Sequence, residues 1–322
     1  MTKPVLQVED LRVYYHTDAG PVKAVDGVSF SLGVAERLGL VGESGCGKST
    51  LALTLMRLLR PPGRIEGGRI LLDGVDLAAL SREEMRHVRL KQISLIPQGA
   101  MNSLNPVMRV CDQIIDGMGA HNRDVPCKVL EERAEEALRL VGLAPHVASM
   151  YPHELSGGMK QRVCTAIAIS LRPKVIIADE PTSALDVVVQ RQVMMTIRRL
   201  QQELGASVIL IGHDMGLMAQ FAERLAVMYA GRLVEIGHVR EMFQAPLHPY
   251  TRLLISSVPL LAEKGVFRGI PGLTPSLLDL PQGCNFHPRC PDADAECRES
   301  IPEMVPVGNG RWVACHKREV ER

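Results

Sequence analysis

Apolar positions change their spacing several times along this chain, and each change marks an element. Residues 5–8, 11–15 and 22–32 carry β-branched and aromatic side chains in strand-like runs. Thr17, Asp18, Ala19, Gly20 and Pro21 interrupt them with turn chemistry. Residues 37–41 form a short apolar strand, followed by a glycine-rich loop. A helical pattern then runs over 48–60 and stops at Pro61, Pro62 and Gly63. Strand, loop and helix in that order open a parallel α/β sheet. Residues from about 102 to 170 read as mostly helical. Leu130, Ala134, Ala137, Leu138 and Val141 share one helical face, and Gly142 provides a stop. Strands are predicted again at 175–178 and 207–212, with a helix over 187–204 between them. Short strands follow at 225–229 and 232–237. Beyond Ala245, proline and glycine accumulate from Pro246 to Gly283, which predicts an extended connector.

Composition narrows the picture. The 322 residues suffice for one large domain with an extension, or for two modest ones. Lys and Arg total 37 against 36 Asp and Glu, a balance unlike that of a dedicated nucleic-acid binder. Aromatics are only 3%, which leaves few platforms for stacking single-stranded bases. No apolar run approaches the roughly 20 residues of a spanning helix. The first ten residues lack a basic and then apolar leader pattern. A cytosolic chain is expected, with any membrane contact made through partner chains.

Three segments carry phosphate chemistry. The first is Gly42, Glu43, Ser44, Gly45, Cys46, Gly47, Lys48, Ser49 and Thr50, which fits G-x-x-x-x-G-K-[ST] between a strand and a helix. Its glycines let backbone N–H groups turn toward phosphate oxygens, and the helix N-terminus adds partial positive charge. Lys48 would reach the outer phosphates, and Ser49 would offer a hydroxyl to Mg²⁺. The second is the apolar run 175–178 ending in Asp179 and Glu180. After a phosphate loop, the first carboxylate suits Mg²⁺ and the second suits activation of water. The third is Leu155, Ser156, Gly157, Gly158, Met159, Lys160, Gln161 and Arg162, a capped helix start whose glycines leave room for an anion. Alone it would be only a capped helix. One chain with one γ-phosphate site has no use for a second such terminus, so it is expected to serve the nucleotide of another chain.

These segments resemble, in order, the Walker A, signature and Walker B segments of ABC ATPases. Further positions match. Gln98 looks like the Q-loop glutamine, and with Ser49 and Asp179 it completes the Mg²⁺ site the family implies. Asp186 looks like the D-loop aspartate, and His213 like the switch histidine beside the γ-phosphate. Tyr15 sits where the family stacks an aromatic on adenine, although the adjacent Tyr14 competes for that role. Each of these has a plain alternative: a strand-end amide for Gln98, a helix cap for Asp186, a satisfied histidine for His213. The implied fold class is α/β: a P-loop NTPase ABC cassette with an N-terminal antiparallel β subdomain, a helical subdomain and a C-terminal cysteine-containing extension. The implied division is 1–245 for the nucleotide-binding domain and 246–322 for the extension.

Narrower stretches resemble the ATPases of oligopeptide and dipeptide importers: Ser103 to Pro106, His153 to Arg162, His248 to Thr251, and Leu280 to Pro291. The helix after Ser156 resembles that of the first, D-type, of two unlike ATPase subunits. One departure is Gln98, Gly99 and Ala100, where the group more often has an acidic residue and a proline. The resemblance implies two membrane-spanning permease subunits, a second and unlike ATPase, an external solute-binding protein, and no nucleic acid. ATP would join two ATPase chains, with Ser156 to Gly158 of one facing the γ-phosphate held by the other. A nickel or sugar importer, or a soluble ABC ATPase outside transport, are the alternatives.

Four cysteines scatter, but Cys284, Cys290, Cys297 and Cys315 crowd a segment with little apolar content of its own. Such a segment invites a metal. The gaps of five, six and seventeen residues contain no close C-x₂₋₄-C pair of the kind zinc favours. A [4Fe–4S] cluster also takes four thiolates, and some importer ATPases that the tail resembles carry one there. The cluster is the expectation, with zinc or unligated thiols as alternatives.

Overall fold

The computed structural model describes residues 3–99, 103–121, 125–183, 185–257 and 269–317. Ala100 of the departure noted above, Asn102 at the start of the helical region, Ala184 and residues 258–268 of the connector lie outside them. The chain begins β1 (Leu6–Thr17), β2 (Gly20–Leu32), β3 (Arg37–Val41), α1 (Lys48–Leu55), β4 (Gly63–Leu72), β5 (Val75–Asp76), α2 (Arg82–Val88) and β6 (Ile93–Ile96). It continues with α3 (Val110–Gly119), α4 (Cys127–Leu140), α5 (Gly157–Ile169), β7 (Val175–Asp179), α6 (Val187–Leu204) and β8 (Ser207–Gly212). The last elements are α7 (Met215–Phe221), β9 (Arg224–Tyr229), β10 (Arg232–His238), α8 (Val239–Gln244), α9 (Pro249–Ser256), α10 (Ala295–Glu299), β11 (Val305–Pro306) and β12 (Trp312–Val313).

These elements gather into two compact units that interleave along the sequence. The first holds the chain up to Leu6, Leu32–Glu36 and Ala79–Ile209. In it β6 runs parallel to β7, with Ile93 opposite Val175 and Ile96 opposite Ala178. All five residues of β7 are buried, as a strand covered on both faces requires. The helical face read from sequence is the packed one: α4 buries Leu130, Ala134, Ala137 and Leu138. Val141 is buried behind them, and Gly142 turns the chain at φ 74°. Opposite, α3 contributes Val110, Ile114 and Met118, and α5 contributes Val163, Ala166 and Ile169.

The second unit holds Gln7–Ser31, Arg37–Ala78 and the chain from Leu210 onward. One of its sheets has the order β2-β1-β4-β5. In the other, β11-β12-β10-β9-β3 are successive neighbours. There β3 runs parallel to β9, with Leu38 opposite Arg224 and Val41 opposite Val227. The β9–β10 and β10–β12 pairs are antiparallel, so the last strands of the chain extend the sheet that carries β3.

Three expectations change. The helix after the phosphate loop ends at Leu55, five residues before the pattern ends. Arg57 takes a left-handed conformation at φ 51°. Arg57 N–H donates to the Thr54 carbonyl and Leu58 N–H to that of Leu53, closing a Schellman cap. A non-glycine residue is held there because its guanidinium donates to the carbonyls of Leu77 and Ala78 at 2.8 and 2.5 Å. The first two predicted strands are one strand, continuous through Asp10 at φ 45°, whose N–H donates to Ser29 Oγ at 2.8 Å. The connector contains α9. Pro249 sits at its first turn, where a missing N–H costs nothing, and His248 Nδ1 accepts from Tyr250 N–H at 3.0 Å.

Candidate functional site

In the second unit, β3 runs straight into the loop formed by Gly42, Glu43, Ser44, Gly45, Cys46 and Gly47, and α1 begins at Lys48. Glycine is required at both ends of the loop. Gly42 has φ 157°, and a Cβ there would lie 2.1 Å from the Met228 carbonyl oxygen. Gly47 has φ 109°, and its Cβ would lie 2.0 Å from the carbonyl oxygen of Ala24. The two ends of the loop are thus pressed against β9 and β2, with no room for a side chain at Gly42 or Gly47. Lys48 is buried, and its ammonium donates to the carbonyls of Gly42 and Glu43 at 2.8 and 2.9 Å and to Cys46 Sγ at 3.6 Å. Ser44 and Gly45 are exposed at the tip, and Ser49 and Thr50 open the first turn of α1. A glycine-rich loop, curled around a cation at a helix N-terminus, fits an oligophosphate.

Tyr15 and Tyr14 have different surroundings. Tyr14 donates its hydroxyl to Asp26 Oδ1 at 2.7 Å, and Asp26 is paired with Arg232 at 2.5 Å. Burial first, and then the Asp26 carboxylate, push the Tyr14 phenol up to about 12. Burial would raise the pKa of Asp26, but the Tyr14 hydroxyl and Arg232 outweigh it and hold the carboxyl below its usual range. Tyr15 instead places its hydroxyl 3.4 Å from Thr50 Oγ1, beside the start of α1. Of the two rings, Tyr15 is the one next to the phosphate loop. His213 also belongs to this unit. It is exposed just past β8, and Asp214 after it caps α7 by accepting from Leu217 N–H at 3.0 Å.

The first unit carries the carboxylates. Asp179 ends β7 and is 6% exposed. Glu180 follows with a left-handed backbone, φ 44°, an uncommon state for a residue with a side chain. Strain of this kind gathers at functional sites. Gln98, two residues past β6, donates its amide to Glu180 Oε2 at 2.9 Å. The parallel pairing of β6 with β7 brings the two together, although 82 residues separate them.

The signature segment starts α5. Ser156 Oγ accepts from Met159 N–H at 3.3 Å, and Gly157 and Gly158 form the first turn. A Cβ on Gly158 would come within 2.7 Å of Val189 Cγ1, so the glycine also lets α5 approach α6. Gln161 points inward at 6% exposure, and its Nε2 has no partner among the described residues. Asp186 caps α6, its Oδ1 accepting from the N–H groups of Val188 and Val189 at 3.0 Å each.

The four C-terminal cysteines lie in the second unit. Cys284 N–H donates to the Cys297 carbonyl at 2.9 Å, which ties two of them together. Burial raises all four thiol pKa values, that of Cys290 to about 11. Neighbouring thiols add to this: Cys297 acts on Cys284, Cys284 and Cys315 on Cys290, and Cys284 and Cys297 on Cys315. Even so, among the described residues no three His, Cys, Asp or Glu side chains converge as a metal-holding set. The expected [4Fe–4S] cluster, and zinc in its place, gain no support from this arrangement. The segment is shaped by backbone hydrogen bonds and by side chains the sequence reading did not assign. Tyr250, Thr274 and Arg289 all reach Glu43 of the phosphate loop. The motifs around Tyr250 and Arg289 were visible in the sequence, but nothing in them named Glu43 as their target.

A phosphate loop leading into a helix in one unit, and in the other a strand-end Asp-Glu pair whose Glu accepts from a glutamine amide, are the parts of a P-loop nucleotide-binding protein. Comparison with known proteins narrows this. The ABC transporter family matches residues 25–183, and the family described as "Oligopeptide/dipeptide transporter, C-terminal region" matches residues 234–297. The dipeptide transport ATP-binding protein DppD of Caldanaerobacter subterraneus subsp. tengcongensis is 43% identical over 99% of this chain and 98% of its own length. The oligopeptide transport ATP-binding protein OppD of Escherichia coli is 44% identical over 97% and 93%, and AppF of Bacillus subtilis is 41% identical over 97% of both. A bacterial ABC transporter cassette solved as a dimer superposes with a TM-score of 0.65 at 25% identity, covering 73% of this chain and 99% of that one. The cbiO1 protein of Clostridium perfringens superposes with a TM-score of 0.63 at 29% identity, covering 76% and 92%. The chain therefore belongs to the ABC transporter ATP-binding subunits, in the group that carries the oligopeptide/dipeptide C-terminal region. It has the ABC cassette fold and is an ATP hydrolase. Among the described residues no helix is long and apolar enough to cross a membrane.

Proposed function

We propose that this chain hydrolyses Mg²⁺-ATP to drive import of oligopeptides or dipeptides, bound at the cytoplasmic face of the membrane through permease subunits. The observation that carries the nucleotide part is the Lys48 ammonium enclosed by the Gly42 and Glu43 carbonyls in a loop that admits only glycine at its ends. The peptide part is supported by the relatives' names and by the C-terminal region they share. The proposed phosphate ligands are Lys48 and the loop N–H groups. Ser49, Gln98 and Asp179 are all oxygen donors of the hard type Mg²⁺ prefers, and are assigned to it from their motif positions. Glu180 orients the attacking water, His213 contacts the γ-phosphate, and Tyr15 stacks on the base. Ser156, Gly157, Gly158 and Gln161 serve the nucleotide held by the facing ATPase, and Asp186 lines that interface. Residues 1–245 form the nucleotide-binding domain and 246–322 the extension.

The relatives' names, dipeptide and oligopeptide transport ATP-binding proteins, support a membrane transport complex, in which two permeases and a solute-binding protein are proposed. The facing ATPase is proposed to be the unlike partner, with this chain in the D-type position. The four C-terminal cysteines are proposed as thiolate ligands of a structural [4Fe–4S] cluster, with zinc as the alternative. Four thiolates are the donor set such a cluster takes, and that donor chemistry is what supports this reading.

Paired substitutions in the assembled transporter test the nucleotide reading. Glu180→Gln should retain ATP binding and lower turnover by at least roughly a hundredfold, in the range expected for loss of general-base chemistry. Lys48→Ala should weaken binding itself. Wild-type hydrolysis by Glu180→Gln would overturn the assignment.

A further inference from the structure

Glu43 is the second residue of the phosphate loop, and it is held from every side. Its N–H donates to the Tyr250 hydroxyl at 2.9 Å. Its carboxylate receives a two-pronged guanidinium: Arg289 Nη1 to Oε2 at 2.6 Å and Nη2 to Oε1 at 3.0 Å. Thr274 Oγ1 adds a third bond to Oε2 at 3.2 Å. Its carbonyl accepts from the Lys48 ammonium at 2.9 Å and from Cys46 N–H at 3.3 Å. Arg289 is fixed in turn. Only 4% of its side chain is exposed, and it also donates to the carbonyls of Pro271 and Ile270 and to the Tyr229 hydroxyl. The rings of Tyr229, Tyr250 and Phe286 pack at 4.6 to 5.3 Å behind it.

We propose that Arg289, with Tyr250 and Thr274, is a positioning device through which the C-terminal segment holds the phosphate loop in its binding shape. The inference rests on the nucleotide reading above. The three donors of the Lys48 ammonium are taken up by the carbonyls of Gly42 and Glu43 and by Cys46 Sγ, so at least one must be redirected for Lys48 to bond phosphate. The loop's internal bonds to Lys48 are therefore rearranged as ligand arrives. The anchors from the C-terminal segment bind the N–H and carboxylate of Glu43, not its carbonyl, so they persist while Lys48 moves. A loop kept in shape in this way pays less ordering entropy on binding. The fork geometry makes arginine specific here, since a lysine offers one point charge where two parallel bonds are formed.

The test titrates the purified full-length chain with a fluorescent ATP analogue and Mg²⁺, and measures ATP turnover in the assembled transporter. Arg289→Ala should raise the Kd for nucleotide roughly tenfold, the equivalent of about 1.4 kcal/mol. Arg289→Lys should recover less than half of that loss. Tyr250→Phe should weaken binding in the same direction. The double variant Glu43→Gln/Arg289→Ala should be no weaker than Arg289→Ala, because both changes break one pair. In turnover, KM for ATP should rise by a larger factor than kcat falls. A purely structural role would lower the melting temperature and the yield of active protein but leave Kd and KM as in the wild type, and that result would overturn the proposal. If Arg289→Ala does not fold, Arg289→Lys and Tyr250→Phe decide by the same readout. Lys48→Ala runs alongside. Loss of binding in Lys48→Ala with wild-type binding in the Arg289 variants rejects the positioning role alone. Wild-type binding by Lys48→Ala rejects the nucleotide site beneath it.

Discussion

At the scale of single residues, this protein places its polar groups where burial makes them costly unless they are paired. Asp26, Glu235 and Lys48 are all buried, and each has partners supplied by a distant stretch of chain or by a curled loop. His248 is the sharpest case for pH. Burial, and to a lesser degree the nearby Arg252 charge, hold its pKa at about 3 against an ordinary 6.5. Its Nδ1 accepts the Tyr250 N–H, which requires the ring to be unprotonated at that atom. The folded value lies below the unfolded one, so the neutral ring's contribution is complete above pH 6.5. It is lost as pH falls from 6.5 toward 3, because the unfolded chain takes up the proton first. Urea melts across this range should show stability falling by up to about 1.4 kcal/mol per pH unit from this group. His248→Gln should be less stable than the wild type at pH 7.5 and should show a visibly flatter acid slope. An unchanged slope would mean that other groups control it.

At the scale of elements, the C-terminal strands are joined to the sheet by a buried ion pair. Glu235 on β10 is fully buried. It accepts from Arg311 Nη2 at 2.6 Å and from the N–H groups of Leu247 and His248 at 3.0 and 2.9 Å. The pair thus fastens the approach to β12 and the start of α9 to one strand. Removing one partner of a buried pair costs more than the pair contributes, because the remaining charge stays desolvated. Arg311→Ala should destabilise the chain by about 3 kcal/mol, read as a shift in the urea midpoint. A loss below about 0.5 kcal/mol, the ordinary range for a surface substitution, would show that Glu235 is satisfied by the two backbone groups alone. The pair was not legible in the sequence. Glu235 falls within an apolar strand pattern and Arg311 in a loop 76 residues later, and only the β10–β12 pairing brings them together.

At the scale of the whole molecule, the role proposed for the start of α5 requires a nucleotide held by a facing ATPase. Purified alone, the chain should hydrolyse ATP slowly, and if the proposed partner is an unlike ATPase, adding that subunit with the permeases should raise the rate by roughly tenfold or more, as completing a split phosphate site does elsewhere. Full transport-coupled activity from this chain paired with itself would remove the case for an unlike partner. Elemental analysis of anaerobically purified full-length protein tests the cysteines. About four irons per chain, with brown colour, is expected for the cluster. One zinc in colourless protein would put zinc in its place. Protein without either metal, and with the tail still folded by hydrogen exchange, would remove the metal reading altogether.

What the sequence determined by itself were features set by local rules. The α6 boundaries and the β8 boundaries follow from apolar period and flanking turns, and both match the prediction residue for residue. The phosphate loop is legible because its glycines are fixed by steric demands that no other residue meets. Tertiary structure decided what depends on residues far apart. It ended α1 at Leu55, because Arg57 finds the carbonyls of Leu77 and Ala78. It separated Tyr14 from Tyr15 by giving the first to Asp26. It put Gln98 on Glu180 through strand pairing and fastened Glu43 to Arg289 across 246 residues. Such partners cannot be read from spacing, because a hydrogen bond depends on separation in space, and chain distance places no limit on it once the backbone has folded back.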